Sequence, residues 1–577
     1  MGESSMELEN SKDLERKPIT FRMAEDDEEI EGETTTEKLV GNSTLDDFVV
    51  LGRYTFILCV MCEAMILLQL GNMIYMIYGG AEPTIVSCGS YRFDESLDTK
   101  ERCSILNQLH SNSSAAGEME CKPEFSAQFK SVNLEWGYYC ARNKLVKQSI
   151  SIQMVGVIIG SAVFGQLSDR YGRKPTLIVA LFCCLITMMI NGLSTNLFMF
   201  TLTRFIINIF NGGCIAIQLV FTVENLPKKD RFWITNLIPW SPNMALFAFV
   251  AYMADGWRTL IHTSIVLSLP GVALLFYCSE SPRFLIEHQK LDEARAVIKR
   301  IWRIDGRKLD EKRLDEMLQA EADAAAQKSK TKKRYSFWHL FYTVEMARYT
   351  IAIAFSTLTA SLITYSLLFN MEKLSGSMYL NGVYMGMFRY VLNLVSALAD
   401  VRFKWLGRKL IHAFSEVYIA FGFILYIAIY LLGLHHEYRT VMAIIILTIL
   451  SQTTLVYTTN GILSSELFPT GVRNTSFSFG QILSRVGVVF APQIFFLSDV
   501  WTPLPYVVIL VCTLIDLFSF HFNIKETKGQ SMVDRMPAKT DSWLHQRRSA
   551  AAKRRTTIGA EELLPVADVE GNPVILP

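Results

Sequence analysis

Charge is scarce in this sequence. Of 577 residues only 19% are charged, and the nine histidines do not cluster. Several chemistries are missing outright. There is no GxxxxGK[ST] phosphate loop, so nothing points to direct use of ATP, and neither HExxH nor GxSxG occurs. The CxxC spacing from Cys59 to Cys62 lies in an apolar run without further ligands. No enzyme chemistry, cofactor, metal site or nucleic-acid partner is therefore expected.

Long apolar runs take the place of these motifs. Half of the residues are hydrophobic, too many for a soluble chain of this size. A bilayer core takes about 20 apolar residues per helix. Segments of that kind occupy 54–78, 148–167, 175–194, 197–221, 232–254, 258–278, 347–369, 378–400, 410–433, 439–462, 475–497 and 503–523. They predict twelve transmembrane helices in two six-helix halves, an all-α membrane protein. Helices are required because unpaired backbone in lipid is very costly and barrel strands would be far shorter. The first run follows an acidic leader, nearly all acid from Glu25 to Glu33, so it is not a cleavable signal peptide.

The net charge of +1 says little, but its distribution says more. Lys and Arg gather at 169–174, 227–231, 328–334, 402–409 and 547–555, in alternate connections. The positive-inside rule puts these and both termini in the cytosol. The division that follows is an acidic tail 1–47, a half 48–278 with an extracellular loop 79–147, a cytosolic central loop 279–346, a half 347–523, and a basic tail 524–577. Residues 310–335, rich in Glu, Ala and Lys, predict a helix in the central loop. The loop 79–147 holds Cys88, Cys103, Cys121 and Cys140, which allow two disulfides in any of three pairings. It also holds the sequon at Asn112, which should carry sugar, whereas those at Asn42 and Asn474 fall on the cytosolic side and should not.

Two basic turns recur at matching places in the halves, "GQLSDRYGRKP" (165–175) and "KWLGRKL" (404–410). In the first, Gly165 would allow close helix approach, Asp169 would cap a helix end, and Arg170, Gly172, Arg173 and Lys174 would form a conformational latch. In the second, Arg408 has no acid at the same spacing, Asp400 being too far upstream. Glu224, Glu280, Arg283, Glu466 and Arg473 stand at neighbouring helix ends and complete the expected gate.

The first turn resembles the loop signature of the major facilitator superfamily. The stretch 135–174, with "TRFIINIFNGG" (203–213), "TVENLPKKDR" (222–231), "SESPRFLIEHQKLDEARAVIKRI" (279–301), "TYSLLFN", "YLNG" and "SSELFPTGVRN" (464–474), resembles its organic cation, anion and carnitine transporter family. The resemblance covers residues 46–525 and neither tail. Sugar porters share some of these signatures, but the seventh run lacks the Gln-Gln pair they use to hold hexoses. Two departures stand out: the long acidic leader, and Arg389, where many relatives have an acid. The resemblance implies a plasma-membrane carrier that moves a small organic ion by alternating access, its site near the midplane between the halves.

Ionisable residues inside the runs are Glu63, Arg204, Arg389, Glu416, Arg485 and Asp516. Each costs about 2.5–3.5 kcal/mol or more when unpaired at a helix centre. Arg485 sits mid-run with Gln481 and Ser484 at helical spacing, in "SRVGVVFAP", which follows the anion and carnitine pattern of the resembling family. Arg389 would be its partner in gripping an acid group, since guanidinium binds carboxylates bidentately and keeps its charge. Glu63 could meet an amine, titrate with a coupled proton or neutralise an arginine. Tyr365 and Tyr379 could line the cavity. Arg204, Glu416 and Asp516 read as structural. The expected substrate is an organic anion or carnitine-like zwitterion, with a coupling ion or counter-substrate left open. The alternatives are an organic cation carrier using Glu63 or Glu416, and a non-transporting sensor or scaffold of the same fold.

Overall fold

The computed structural model describes residues 45–94, 97–116, 121–227, 234, 240–331, 336–403, 405–530, 536, 537 and 543. Its long helices are α1 (Arg53–Ile74), α2 (Asn143–Tyr171), α3 (Arg173–Gly192), α4 (Leu197–Asn225), α5 (Trp240–Ala254), α6 (Trp257–Tyr277), α7 (Val344–Leu368), α8 (Met378–Arg402), α9 (Arg408–Leu431), α10 (Arg439–Glu466), α11 (Thr470–Ile494) and α12 (Leu504–Asn523). Among the described residues, eleven helices are long and apolar enough to cross a bilayer. The remaining one, α5, has 15 described residues; 235–239 lie outside the description.

Helix α2 begins well before the expected residue 148 and is 29 residues long. Its packing against α4 explains how two helices come so close. A Cβ on Gly160 would lie 1.8 Å from the Ile209 carbonyl oxygen, and one on Gly212 would lie 2.4 Å from that of Val157. Gly165 corrects the sequence reading: nothing lies within 4 Å of its Cβ position, so it makes no close approach. Small residues let membrane helices touch backbone to backbone, and here that task falls one to two turns earlier.

One end of the bundle carries the loop between α1 and α2. The disulfides Cys88–Cys121 and Cys103–Cys140 select one of the three pairings. The first ties the end of β1 to the entry of β3 in an antiparallel sheet of β1 (Thr84–Cys88), β2 (Tyr91–Arg92) and β3 (Pro123–Ser126), ordered β2-β1-β3; the second ties the helix Thr99–Ala116, which carries Asn112, to the turn before α2. These short strands are an addition to the all-α expectation. The opposite end carries the basic turns and a module of helices Pro282–Glu287, Leu291–Asp305 and Glu311–Thr331. The expected tail boundary at residue 47 shifts here. Leu45, Phe48 and Val49 are buried against the module, Asp46 pairs with Arg283, and Trp302 Nε1 donates to the Phe48 carbonyl. Thus 45–49 belong with the central insert rather than with a free leader.

The Gly160 contact is with backbone, which has no rotamer to yield. Gly160→Ala is expected to lower the thermal unfolding midpoint of the purified protein sharply, with a cost of at least about 3 kcal/mol. Gly165→Ala should leave it unchanged or raise it, because Ala is the better helix former by roughly 0.5–1 kcal/mol.

Candidate functional site

Helix α7 is rich in hydroxyls, and they build a polar seam with α10 and α11. Tyr457 Oη donates to Ser361 Oγ at 2.8 Å, and Ser361 Oγ meets Ser484 Oγ at 2.7 Å. Thr364 Oγ1 donates to Thr453 Oγ1 at 2.8 Å. Gly487 brings the backbones together, its Cβ position 2.6 Å from the Leu358 carbonyl oxygen. Arg389 of α8 reaches this seam and interacts with Tyr457 and Tyr365. Its Nε and Nη1 are buried and have no hydrogen-bond partner. Arg485 follows Ser484 directly and is half-buried, with no ion pair to a described carboxylate.

Gln481 is one turn from Arg485 on α11, and with Asn474 and Ser478 it forms an exposed polar stripe at helical spacing. Such a stripe on a membrane helix needs water, because hydrocarbon offers it no partners. It starts near the basic end of α11 and stops at Arg485.

In the other half, Glu63 of α1 is half-buried. Its Oε1 accepts from Asn243 Nδ2 of α5 at 2.7 Å, and its Oε2 is buried without a partner. Arg204 is fully buried: Nη2 donates to the Asn72 carbonyl at 2.7 Å, Nη1 to Asn72 Oδ1 at 3.2 Å, and the guanidinium lies 4.2 Å from the Tyr75 ring centroid. It pins α4 to α1. Tyr379 is not part of the seam. It stands at the loop end of α8, with its hydroxyl donating to the Gln128 carbonyl at 2.7 Å and its ring stacked on Tyr78.

At that same end the halves are joined by contacts the sequence reading missed. Lys147 Nζ pairs with Glu372 Oε1 at 2.7 Å and donates to the Phe369 carbonyl at 2.6 Å; the two charged side chains are only 7% and 8% exposed. Ser151 Oγ of α2 donates to the Val489 carbonyl of α11 at 2.7 Å. Gly386 of α8 lies against α5, its Cβ position 2.9 Å from the Ser241 carbonyl oxygen. The head of α2, with Asn143, Lys144, Lys147 and Gln148, is too polar for Lys147 to stand out in the sequence.

At the basic end each half is tied to itself. Arg173 pairs with Asp169 and with Glu224, the latter at 3.1 Å. Glu280 accepts from the Lys174 backbone N–H at 3.0 Å, and burial raises its carboxyl above the usual glutamate range. Gly172, at φ +111°, makes the turn, and a Cβ there would meet Glu280 Oε2 at 2.6 Å. Arg170 lies over the Tyr171 ring, and Arg283 pairs with Asp46 rather than with the turn. In the second copy Arg408 pairs with Asp400 and, at 3.6 Å, with Glu466; Lys528 joins Asp400 at 2.9 Å. The acid thought too far upstream is therefore present. Helix α8 runs on to Arg402, and the chain then folds back, returning Arg408 to Asp400. Arg473 lies in the first turn of α11, seven residues after Glu466.

Residues 102–536 match the family described as "Sugar (and other) transporter". The chain belongs to that family. Its fold is that of the major facilitator superfamily: the xylose transporter XylE from E. coli, in a partially occluded inward open conformation, superposes with a TM-score of 0.57 at 15% identity, covering 83% of this chain and 100% of XylE. Among sequence relatives within reach, an "Organic cation transporter-like protein" of Drosophila melanogaster is 29% identical over 425 residues, 71% of this chain and 72% of the relative. "Solute carrier family 22 member 7" of Mus musculus is 25% identical over 386 residues, 67% of this chain and 69% of the relative. This member of the transporter family thus has sequence relatives named for organic cations and a fold shared with a sugar carrier.

Removing one partner of Lys147–Glu372 leaves a buried charge alone. Glu372→Gln or Lys147→Met is expected to cost about 3–5 kcal/mol in stability. The double variant should cost clearly less than the sum, as a thermal-unfolding double-mutant cycle would show.

Proposed function

We propose that this chain is a plasma-membrane secondary transporter for small organic ions, preferring organic anions or carnitine-like zwitterions. The loop end would be extracellular, and both termini and the basic turns cytosolic. The two halves would rock about the interface between them, with the loop side closed in the conformation described. The observation that carries the substrate preference is Arg389: a half-buried arginine near Tyr365 and Tyr457 whose buried Nε and Nη1 have no partner. Arg485 stands at the head of the exposed polar stripe. A carboxylate, sulfate or phosphate entering along that stripe would supply the missing acceptors, while the tyrosine rings flank its organic part. Gln481 would contribute a neutral hydrogen bond one turn below.

A second reading, organic cation transport, rests on Glu63. Its free Oε2 and its lack of a cationic partner among the described residues make it a seat for an ammonium group. The relatives' names point the same way. A zwitterion would use both seats, one in each half. The basic-end pairs Arg173–Glu224 and Arg408–Glu466 would be the gate elements that rearrange when the cytosolic side closes.

Uptake of labelled organic anions, carnitine and a quaternary amine into cells or proteoliposomes tests this. Arg485→Ala and Arg389→Ala are each expected to reduce anion uptake about tenfold or more, the loss of a charge-assisted hydrogen bond. Anion uptake that survives both substitutions overturns the anion reading. Selective loss of amine uptake in Glu63→Gln supports the cation reading, and absence of any saturable uptake despite surface expression leaves a sensor or scaffold. The topology has its own test: Asn112→Gln should abolish the glycosidase-sensitive shift on a gel, and Asn474→Gln should not change it.

A further inference from the structure

Three ionisable side chains meet away from the seam. His412 and Glu416, one turn apart on α9, face Asp516 on α12, and one donor atom from each lies within 4.8 Å of the others. All three residues have no exposed surface. His412 Nδ1, both Glu416 oxygens and both Asp516 oxygens lack a hydrogen-bond partner of good geometry, although Ser356 of α7 lies beside Asp516 and the two carboxyls lie within reach of each other. No Lys or Arg among the described residues pairs with them, since Arg408, one turn before His412, is engaged by Asp400 and Glu466. The other titratable group at hand is the Cys512 thiol, one turn before Asp516.

We propose that His412, Glu416 and Asp516 form a buried binding site for one divalent transition-metal ion, with zinc the best match to an imidazole and two carboxylates. Two carboxylates balance the charge of such an ion, and one ion bound through the imidazole and both acids engages all three groups at once. A single shared proton would leave one negative charge and the imidazole nitrogen unsatisfied. The histidine is already oriented for the task. Its Nε2 is 2.8 Å from Ser356 Oγ, which also accepts from Asn460 Nδ2 at 2.8 Å. With Nε2–H donating to Ser356, which already accepts from Asn460, the lone pair rests on Nδ1, which has no other partner, the usual outer support of a metal-bound histidine. The Phe520 ring lies flat on the imidazole, 3° from parallel, and fixes its plane.

The site sits about one to two turns, roughly 6–12 Å, from the basic end of α9. That places it within reach of the aqueous phase there when the helices part. A bound ion would clamp α9 to α12. Through Ser356 and Asn460 it would also brace α7 and α10, which carry Tyr365 and Tyr457.

The test is elemental analysis of the full-length protein purified from zinc-supplemented cells, alongside thermal unfolding with added zinc or chelator. Wild type should hold about one equivalent of zinc and lose thermal stability on chelation, with zinc restoring it. His412→Ala and Asp516→Asn should lose the metal, at least roughly tenfold, and their midpoints should ignore chelator. His110→Ala, beside the Cys88–Cys121 disulfide, should retain the wild-type content. If either variant fails to fold, the chelation and zinc-restoration curves of wild type decide alone. Wild type with no zinc above background and no response to chelator or zinc overturns the proposal. Glu416→Gln of unchanged stability in that case would identify a protonated acid pair.

Discussion

A charge placed in hydrocarbon must be answered by another polar group, and the arrangement of this protein follows from how each is answered. Arg204 is answered locally: Asn72 and the Tyr75 ring surround it, so it serves to hold α4 on α1. Lys147 is answered across the molecule by Glu372, and the answer closes one end of the bundle. Arg389, Glu63 and the His412–Glu416–Asp516 cluster keep buried polar atoms without a partner among the described residues, and Arg485 has no ion pair with a described carboxylate. An uncompensated charge at helix centre is costly, so these are the places we propose as seats for a ligand. The division between pins and seats is thus read from partners rather than from position in the sequence.

The apolar runs made the helices legible, because length and hydropathy alone decide which segments span. Their ends were less legible. Helix α2 starts at Asn143 because its first turns, though polar, still bury Val146, Lys147 and Ile150 against neighbours. A hydropathy window sees only composition there. The tail boundary failed for a related reason: Leu45 and Phe48 are too few to register as an apolar run, but they fill a ready-made hollow in the central helices.

The site was partly legible. Arg389, Arg485 and Glu63 stood out as charges in oil, and Tyr365 falls beside Arg389 as its position in α7 allows. Tyr379 did not join them because it stands ten residues from Arg389 on the same helix, roughly 15 Å along the axis. Pairings between distant segments were hidden. Asp400 and Arg408 needed the fold-back after α8, and Lys147 with Glu372 needed the two halves to be docked. The histidine cluster was hidden for the same reason: His412 and Glu416 share a helix face, but the third member comes from α12.

On the proposed alternating-access cycle the lock at the loop end must also be breakable, and a buried ion pair suits that demand. Taking two charges out of water costs nearly as much as their attraction returns, so the net worth of Lys147–Glu372 is small while both partners remain. When the loop side opens, water reaches both ions and recovers their hydration. The same pair is expensive to disrupt by removing one partner and cheap to separate by hydrating both. An apolar contact of equal area would resist opening in proportion to the surface exposed. A carrier needs its two states within a few kcal/mol of each other, so that a modest substrate can tip the balance. On this argument the charges at the loop end set register and closure, and the close packing of Gly386 on α5 sets how tightly the closed state fits.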